Sequence, residues 1–559
     1  MTSSNGALSV ANTAASLSGI VAVTNGGTGA STAANALIAL GAYSSANPTG
    51  YQTAANLPLN IVASVASLRL KTTVTLAVNC VYLSGYATVC DGGEGLFFYI
   101  STDITTADNG GTVLVDASSR RWYRAAVQDS VSVMQFGAVG NGTTNDTFAF
   151  NSAMTWMNGK GGGTVTFPVK AFLIDPITIP AAVTLQGSLQ GPFDAGVNPA
   201  TRVTAPTLLV NSTAGSFVTL AGYAASVTDC LIFYPSQVAP TAITPTAYPP
   251  TILATGAGNA IARVTLVNSY IGIFLAVGRV SIFDCKIGSY LMAIHVDNAE
   301  DYVFIDRIEI EPLYNIYLGL ATPQTIDTWV LNHSQGIVVS RADAISVSNV
   351  GIFVKYAAIV LNDTATAGVS PKNGYGKFVN IDCDTVAYGV DASSSNNVGG
   401  GYQFTNLGVG GNPTGVGTAA QAAIVMTSGG SSPPTVLWNG GAQRSNGGWA
   451  AGQTCVVFST GNCKVTGVYG INDVGLLTAT PAMPAANVAM TNPFPFKVRV
   501  FIQIPSTSTT VSTIALDDHS IWVTTPGMNS APFNLLLNGG ETLSLNYVGS
   551  PTWQWFATN

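Results

Sequence analysis

The chain has 559 residues, a net charge of −7 and 47% hydrophobic side chains, with only 8% charged against about 25% in an ordinary globular protein. This balance argues against a nucleic-acid partner, which needs clustered Lys and Arg, and against a disordered chain. No uninterrupted apolar run is long enough to cross a bilayer, which leaves a large, weakly charged β protein with room for several domains.

Residues 1–57 are rich in Ala, Ser, Thr and Gly, and no basic region followed by an apolar stretch opens the chain, so a secretory signal is not expected. The central TNGGTGASTAANALIALGA predicts a glycine turn, a cap near Ser31 or Thr32 and a short helix to Leu40 stopped by Gly41. Its glycines lack the G-K-[ST] of a phosphate loop. Residues 58–127 read as a small hairpin-rich β unit, because 96–100 and 112–115 alternate on either side of DNGG. Asp91 and Glu94 in CDGGEG read as a solvated turn rather than a calcium site. Arg120, Arg121, Trp122 and Arg124, the densest basic cluster, are expected to contact neighbouring subunits.

The character of the chain changes at 131–136, a short apolar strand followed by the turn GAVGNG. Asn145 is expected to cap a helix over 146–158, with Phe148, Phe150, Ala153, Met154 and Met157 on one apolar face. GKGGG ends that helix, since successive glycines favour conformations no helix interior tolerates. A strand over 164–167 follows, closed by Pro168.

Beyond it the pattern repeats. Aliphatic doublets recur at Val264 and Leu266, Val280 and Ile282, Val303 and Ile305, and Ile345 and Val347, at intervals of 16, 23 and 42 residues. These suit coils of about 20 residues, the last interval covering two, and a period of this kind signals a solenoid. Three Asp-Cys dipeptides, at Asp229, Asp284 and Asp382, read as a turn residue followed by a small buried one. The seven cysteines include no C-x-x-C pair, so no zinc site is expected, and free buried thiols are the default.

FGAVGNGTTNDT, the helix and GGGTVTFP together resemble the opening of the pectate-lyase-like right-handed parallel β-helix of bacteriophage tailspikes. Asn141 and Asn145 stand where that family often has Asp. The resemblance implies that the helix covers the open end of the coils and that the chain is all-β. It places the β-helix over residues 128–475, after a virion-proximal segment (1–57) similar to phage tail fibres and a neck domain (58–127) similar to the unit preceding the β-helix in many tailspikes. The clean alternation of KVRVFIQI and ETLSLNYV, ahead of TWQWF, resembles the small C-terminal β-sandwich of the family, placed over 476–559. Of Trp553 and Trp555, one is expected in its core and one at an interface. The resemblance further implies a homotrimer, attachment to phage tail, baseplate or adaptor proteins through the N-terminal region, synthesis in the host bacterial cytoplasm and residence in the virion.

Chemistry is expected in HVDNAEDYVFIDRIEIEPLYN, where Asp297, Glu300, Asp301, Asp306, Glu309 and Glu311 place six of the 27 carboxylates within 15 residues. Alternation turns Val303, Ile305, Ile308 and Ile310 inward and Glu309 and Glu311 outward, with Asp306 and Arg307 at the bend. Asp284, Asp306 and Asp327 stand 22 and 21 residues apart and predict a column of carboxylates on successive coils. Spacings of about 5 and 10 Å along such a column would raise one proton affinity and bracket those of retaining and inverting glycosidases. Asp306, Glu309, Glu311 and Asp327 are therefore the catalytic candidates. Tyr302, Tyr314 and Trp329 are candidates for stacking on sugar, with Arg307, His295 and His333 as further binding groups. The expected function is recognition of bacterial capsule or lipopolysaccharide and its hydrolysis, with no metal or cofactor. The alternatives are a lyase, with His295 or His333 as base and Arg307 neutralising a uronate, and a non-enzymatic adhesin. A cellular pectinase-like enzyme is disfavoured by the tail-fibre-like N-terminus.

Overall fold

In this computed structural model the described residues are 60–72, 79–125, 127–191, 200, 202–237, 244–311, 324–362, 374–392, 401–412, 422–426, 435–444, 456–458, 462–469, 481–494, 497–503, 510–517, 519–523 and 533–557, with 3–4, 7–8 and 35 from the first segment. The helix expected up to Leu40 lies outside them except for Asn35, which is helical.

The neck is a five-stranded sheet. Cys80–Leu83, Gly95–Tyr99, Arg121–Arg124 and Val113–Val115 run antiparallel in that spatial order, and Asn60–Val62 adds a parallel edge. The two alternating segments do not pair with each other; both pair with Arg121–Arg124 between them. Asp91 is a turn residue, its carboxylate accepting the backbone N–H groups of Tyr86, Ala87, Thr88 and Gly93.

The basic cluster, expected at a subunit contact, makes bonds within its own domain. Arg120 pairs with Asp116 at 2.7 Å, and the fully buried Trp122 donates to the same carboxylate. Arg124 is buried over the Phe97 ring and donates to the carbonyls of Gly93, Glu94 and Gly111, and burial pulls its pKa down to about 10. Arg124→Leu strands three carbonyls and is expected to cost about 2–4 kcal/mol. Hydrogen exchange on the full chain should show faster opening of Gly95–Tyr99 and Arg121–Arg124, with the solenoid unchanged.

The expected strand over 131–136 is shorter: Ser130–Ser132 is strand, and Val133–Phe136 is a 3-10 turn held by a capping box between Ser132 and Gln135. The helix runs Thr147–Gly159 with Asp146, not Asn145, at its N-cap; Asn145 ends the preceding strand and accepts the Thr147 N–H at 3.0 Å from one residue outside the helix. Phe150, Ala153, Met154 and Met157 bury into the core of the first coils, with Phe150 edge-on to Phe172. Phe148 is the exception, 72% exposed, because residues two apart on a helix do not share a face.

From Ser130–Ser132 to Asn462–Tyr469, 21 parallel strands wind around one aliphatic core, forming a parallel β-helix. In the coil Val280–Val296 a first face (280–283) pairs with 303–306, a second (285–287) with 308–310, and a third (292–296) with 335–339. Val280, Val303 and Ile345 stack in register and are buried, as are Ile282, Ile305 and Val347. Two expectations are corrected here. Val264 and Leu266 belong to the second-face column, paired with Cys230 and Ile232. The 42-residue interval is one coil, not two, since Val303 pairs directly with Ile345. The extra length is an excursion from Glu311 to Ser334 that contains the helix Gln324–His333.

A bend between the first and second faces repeats on seven successive coils. Asp229, Arg263, Asp284, Arg307, Asn349, Asn380 and Asn406 all take left-handed φ between 51° and 59°. Asn and Asp tolerate this region best, and Arg263 is held by a bidentate pair with Asp229 at 2.5 and 2.7 Å. Cys230, Cys285 and Cys383 are buried as expected, whereas Cys90 is exposed. In the third Asp-Cys pair the bend residue is Asn380 rather than Asp382.

The C-terminal sandwich packs a four-stranded against a three-stranded antiparallel sheet around Val498, Val500, Ile502, Leu543, Leu545 and Trp555. Both tryptophans are core residues, meeting edge to face at 5.3 Å, with the Trp553 indole N–H donating to the Pro481 carbonyl.

Candidate active site

The register distributes the candidate residues over three places. Tyr302 and Asp306 lie on the first face, Arg307 on the bend, and Glu309 and Glu311 on and just past the second-face strand. His295 is on the third face, paired in register with Val338. Asp327, Trp329 and His333 are on the excursion helix, and Tyr314 lies outside the described residues.

The aspartate column does not form. Asp284 aligns with Arg307, because Phe283 pairs with Asp306 and Cys285 with Ile308, and Asp327 is on a helix instead of a coil strand. The coils starting at Val280 and Val303 are 23 and 42 residues long, so spacings of 22 and 21 slip out of register.

Asp306 instead terminates a ladder of side chains along the bend. Its Oδ1 accepts from Ser348 Oγ at 2.6 Å and Asn349 Nδ2 at 2.8 Å; Asn380 then donates to Asn349 and Asn406 to Asn380. Burial raises its proton affinity, but these donors and the Arg307 charge outweigh burial and hold the carboxyl below the ordinary value. That is the opposite of the raised affinity expected for a catalytic acid.

Glu311 is shifted the other way. Burial and the neighbouring Glu309 charge raise its proton affinity, partly opposed by Lys286, whose strand position pairs with Glu309. Ile308 and Ile310 are buried, which turns both glutamates to the outer surface, with backbone positions about 7 Å apart.

The next coils supply residues that alternation within one strand does not reveal. The Glu309 column continues through Gly351 to Asp382, and Phe353 lies across Gly351, where a Cβ would meet its ring at 3.0 Å. Asp384 pairs with Phe353. A half-buried aromatic ring thus lies between one coil bearing Glu309 and another bearing Asp382 and Asp384. The sequence signal for them is the continued alternation in GIFVK and IDCDT, visible only once the excursion is removed from the count.

The remaining candidates divide. Tyr302 is 53% exposed and stacks on the equally open Phe304 at 5.9 Å, with its hydroxyl 3.4 Å from that of Tyr375. Arg307 is exposed, 3.9 Å from Asp306 and over the Phe283 ring. Trp329 is corrected from a sugar platform to a packing residue: it is buried against Tyr290, Tyr270 and Val330. His295 stacks on Phe274 and bonds Ser340 at 2.8 Å, and burial, only partly offset by Asp297, lowers its pKa. His333 bonds the Trp329 carbonyl. A base–cation pair of His295 with Arg307 is not assembled, because they lie on different faces. Among the described residues no group of His, Cys, Asp or Glu has the arrangement of a metal site.

Residues 61–128 match the family model of the phage tail protein small four-stranded beta-sheet domain. No curated protein matches the sequence. The chain is similar to the full-length tailspike protein 2 from Escherichia coli O157:H7 bacteriophage CAB120, with 13% identity, 91% of this chain and 73% of that one covered, and a TM-score of 0.47. It is also similar to tailspike protein gp49 from Acinetobacter baumannii bacteriophage Fri1, a capsular polysaccharide depolymerase (14% identity, 89% and 97% covered, TM-score 0.43). A third is Pantoea stewartii WceF, a glycan biofilm modifying enzyme with a bacteriophage tailspike-like parallel β-helix fold (12%, 92% and 72%, 0.37). The chain thus joins a region similar to the small β-sheet domain of phage tail proteins to a long parallel β-helix and a terminal β-sandwich.

Proposed function

We propose that this protein is a phage tailspike, assembled as a homotrimer in the virion, that binds a bacterial surface polysaccharide along the flank of its β-helix and hydrolyses it. The observation that supports the reading is the pair Glu309 and Glu311, turned outward on one flank, with burial and the Glu309 charge raising the proton affinity of Glu311. A carboxyl of raised proton affinity beside a second carboxyl is what glycoside hydrolysis requires. Glu311 then acts as general acid on the leaving oxygen and Glu309 as the base that activates water.

Phe353, and Tyr302 on the adjoining face, supply rings for the C–H side of a sugar, and Arg307 offers an exposed donor at the bend. Asp306 acts through position, anchoring the bend that carries Arg307. The phage-tail-like domain at 61–128 supports attachment to the tail through the N-terminal side. Purified protein incubated with capsular polysaccharide or lipopolysaccharide should release reducing ends without unsaturated uronate. Unsaturated uronate would indicate a lyase, and polymer binding without either product an adhesin.

A further inference from the structure

The neck sheet has two unlike sides. Side chains alternate along each strand, and Val81, Phe97, Leu114 and Trp122 turn to the side packed on Val65 and Leu68 of the short helix Val65–Arg69. The opposite side meets solvent. Across it, in register, stand a row Ile61, Tyr82, Leu96 and a row Cys80, Phe98, Tyr123, with Ile61 69% and Phe98 44% exposed.

This side carries little charge. Among the described strand positions on it the one charged residue is Arg121, whose guanidinium donates to the carbonyls of Thr106 and Ser119. Nearby, Arg69 is held by Asp108 at 2.7 Å. Of the 17 large apolar side chains exposed among the described residues, six lie in the neck, Leu70 and Ile104 among them. Monomers rarely leave so apolar a patch in water.

Composition also identifies the occupant. Contacts with separately folded partners are about as polar as ordinary surface, whereas obligate contacts between copies of one chain are more apolar, and charge is depleted at the centre of an interface. The neck is moreover fixed to the first coil, because Gly111 leaves no room for a side chain beside the Phe136 ring, nor Gly137 beside the Tyr86 ring. Solenoids that associate side by side therefore bring their necks together.

We propose that this side of the neck sheet is a contact between copies of the chain, the three faces closing around the trimer axis with Ile61 and Phe98 at its centre. The inference rests on the homotrimer of the reading above and adds the surface through which the copies meet. It is tested on the full chain with Phe98 replaced by the photo-crosslinker p-benzoylphenylalanine, and with Phe98→Glu. Alkylation of Cys80, which lies in the face, and of the exposed Cys90, which lies in a loop, is followed by peptide mass spectrometry.

The expected result is a wild type that sediments as a trimer, and irradiation that yields covalent dimers and trimers linking position 98 to residues 60–125 of another copy. In Phe98→Glu, Cys80 should alkylate at least about tenfold faster with the Cys90 rate unchanged. Crosslinks confined to one chain, or reaching only residues 1–57, overturn the contact and leave the homotrimer standing, and so does an unchanged Cys80 rate in folded Phe98→Glu. If that variant does not fold, the crosslink decides alone. A monomeric wild type overturns both the contact and the homotrimer.

Discussion

Glu311→Gln is expected to reduce polysaccharide cleavage by about 10²–10⁴-fold with KM little changed, because glutamine keeps the shape of the side chain but has no proton to give the leaving oxygen. The same change removes a partly buried carboxyl that sits against the Glu309 charge, so the variant should melt no lower than wild type. Since burial and Glu309 both raise the proton affinity of Glu311, wild-type activity should fall on the alkaline side as that proton is lost. Rates measured across pH for wild type and variant check both statements. Activity within about threefold of wild type would remove Glu311 as the acid.

Lys355→Met should stabilise the protein by about 2–4 kcal/mol at pH 6, with the gain shrinking toward pH 10. Lys355 is fully buried in the corner leading to the third face, and its ammonium donates to the Ser289 carbonyl at 2.8 Å. Burial alone lowers its pKa from 10.5 to about 7. Below pH 7 the lysine is protonated in both folded and unfolded chains, and the folded state bears the full cost of a buried charge. Between pH 7 and 10.5 only the unfolded chain holds that proton, so wild-type stability rises with pH while the methionine variant lacks this contribution. Loss of the donor to the Ser289 carbonyl offsets about 1 kcal/mol of the gain. Denaturant unfolding of both proteins at pH 6 and pH 9.5 measures the difference; equal stability at both values would mean that the ammonium has a compensating partner.

The two predictions draw on features of unequal visibility in the sequence. Outward placement of Glu309 and Glu311 follows from alternation with Ile308 and Ile310, which is local and survives any error elsewhere. The helix after Asn145, the aliphatic doublets and the alternation in KVRVFIQI are equally local, so the solenoid, its end cap and the terminal sandwich are legible. Relations between coils are not, because they depend on the length of everything in between. The excursion between Glu311 and Ser334 adds enough chain to make one coil look like two, which conceals Phe353, Asp382 and Asp384 as neighbours of Glu309. A slip of one residue replaces Asp306 with Arg307 opposite Asp284. Lys355 and Arg124 were illegible for another reason: nothing local distinguishes a buried cation bonded to carbonyls from a solvated one.

That same excursion leaves the stack after Ile310, and the chain re-enters it at Gln335, with the strands before and after still matched to the coil Val280–Val296 below. A segment bounded in this way can change length without shifting the strand register, so long as Trp329 and Val330 still cover Tyr290. The registration of the solenoid is therefore independent of how much chain is carried between Glu311 and Ser334.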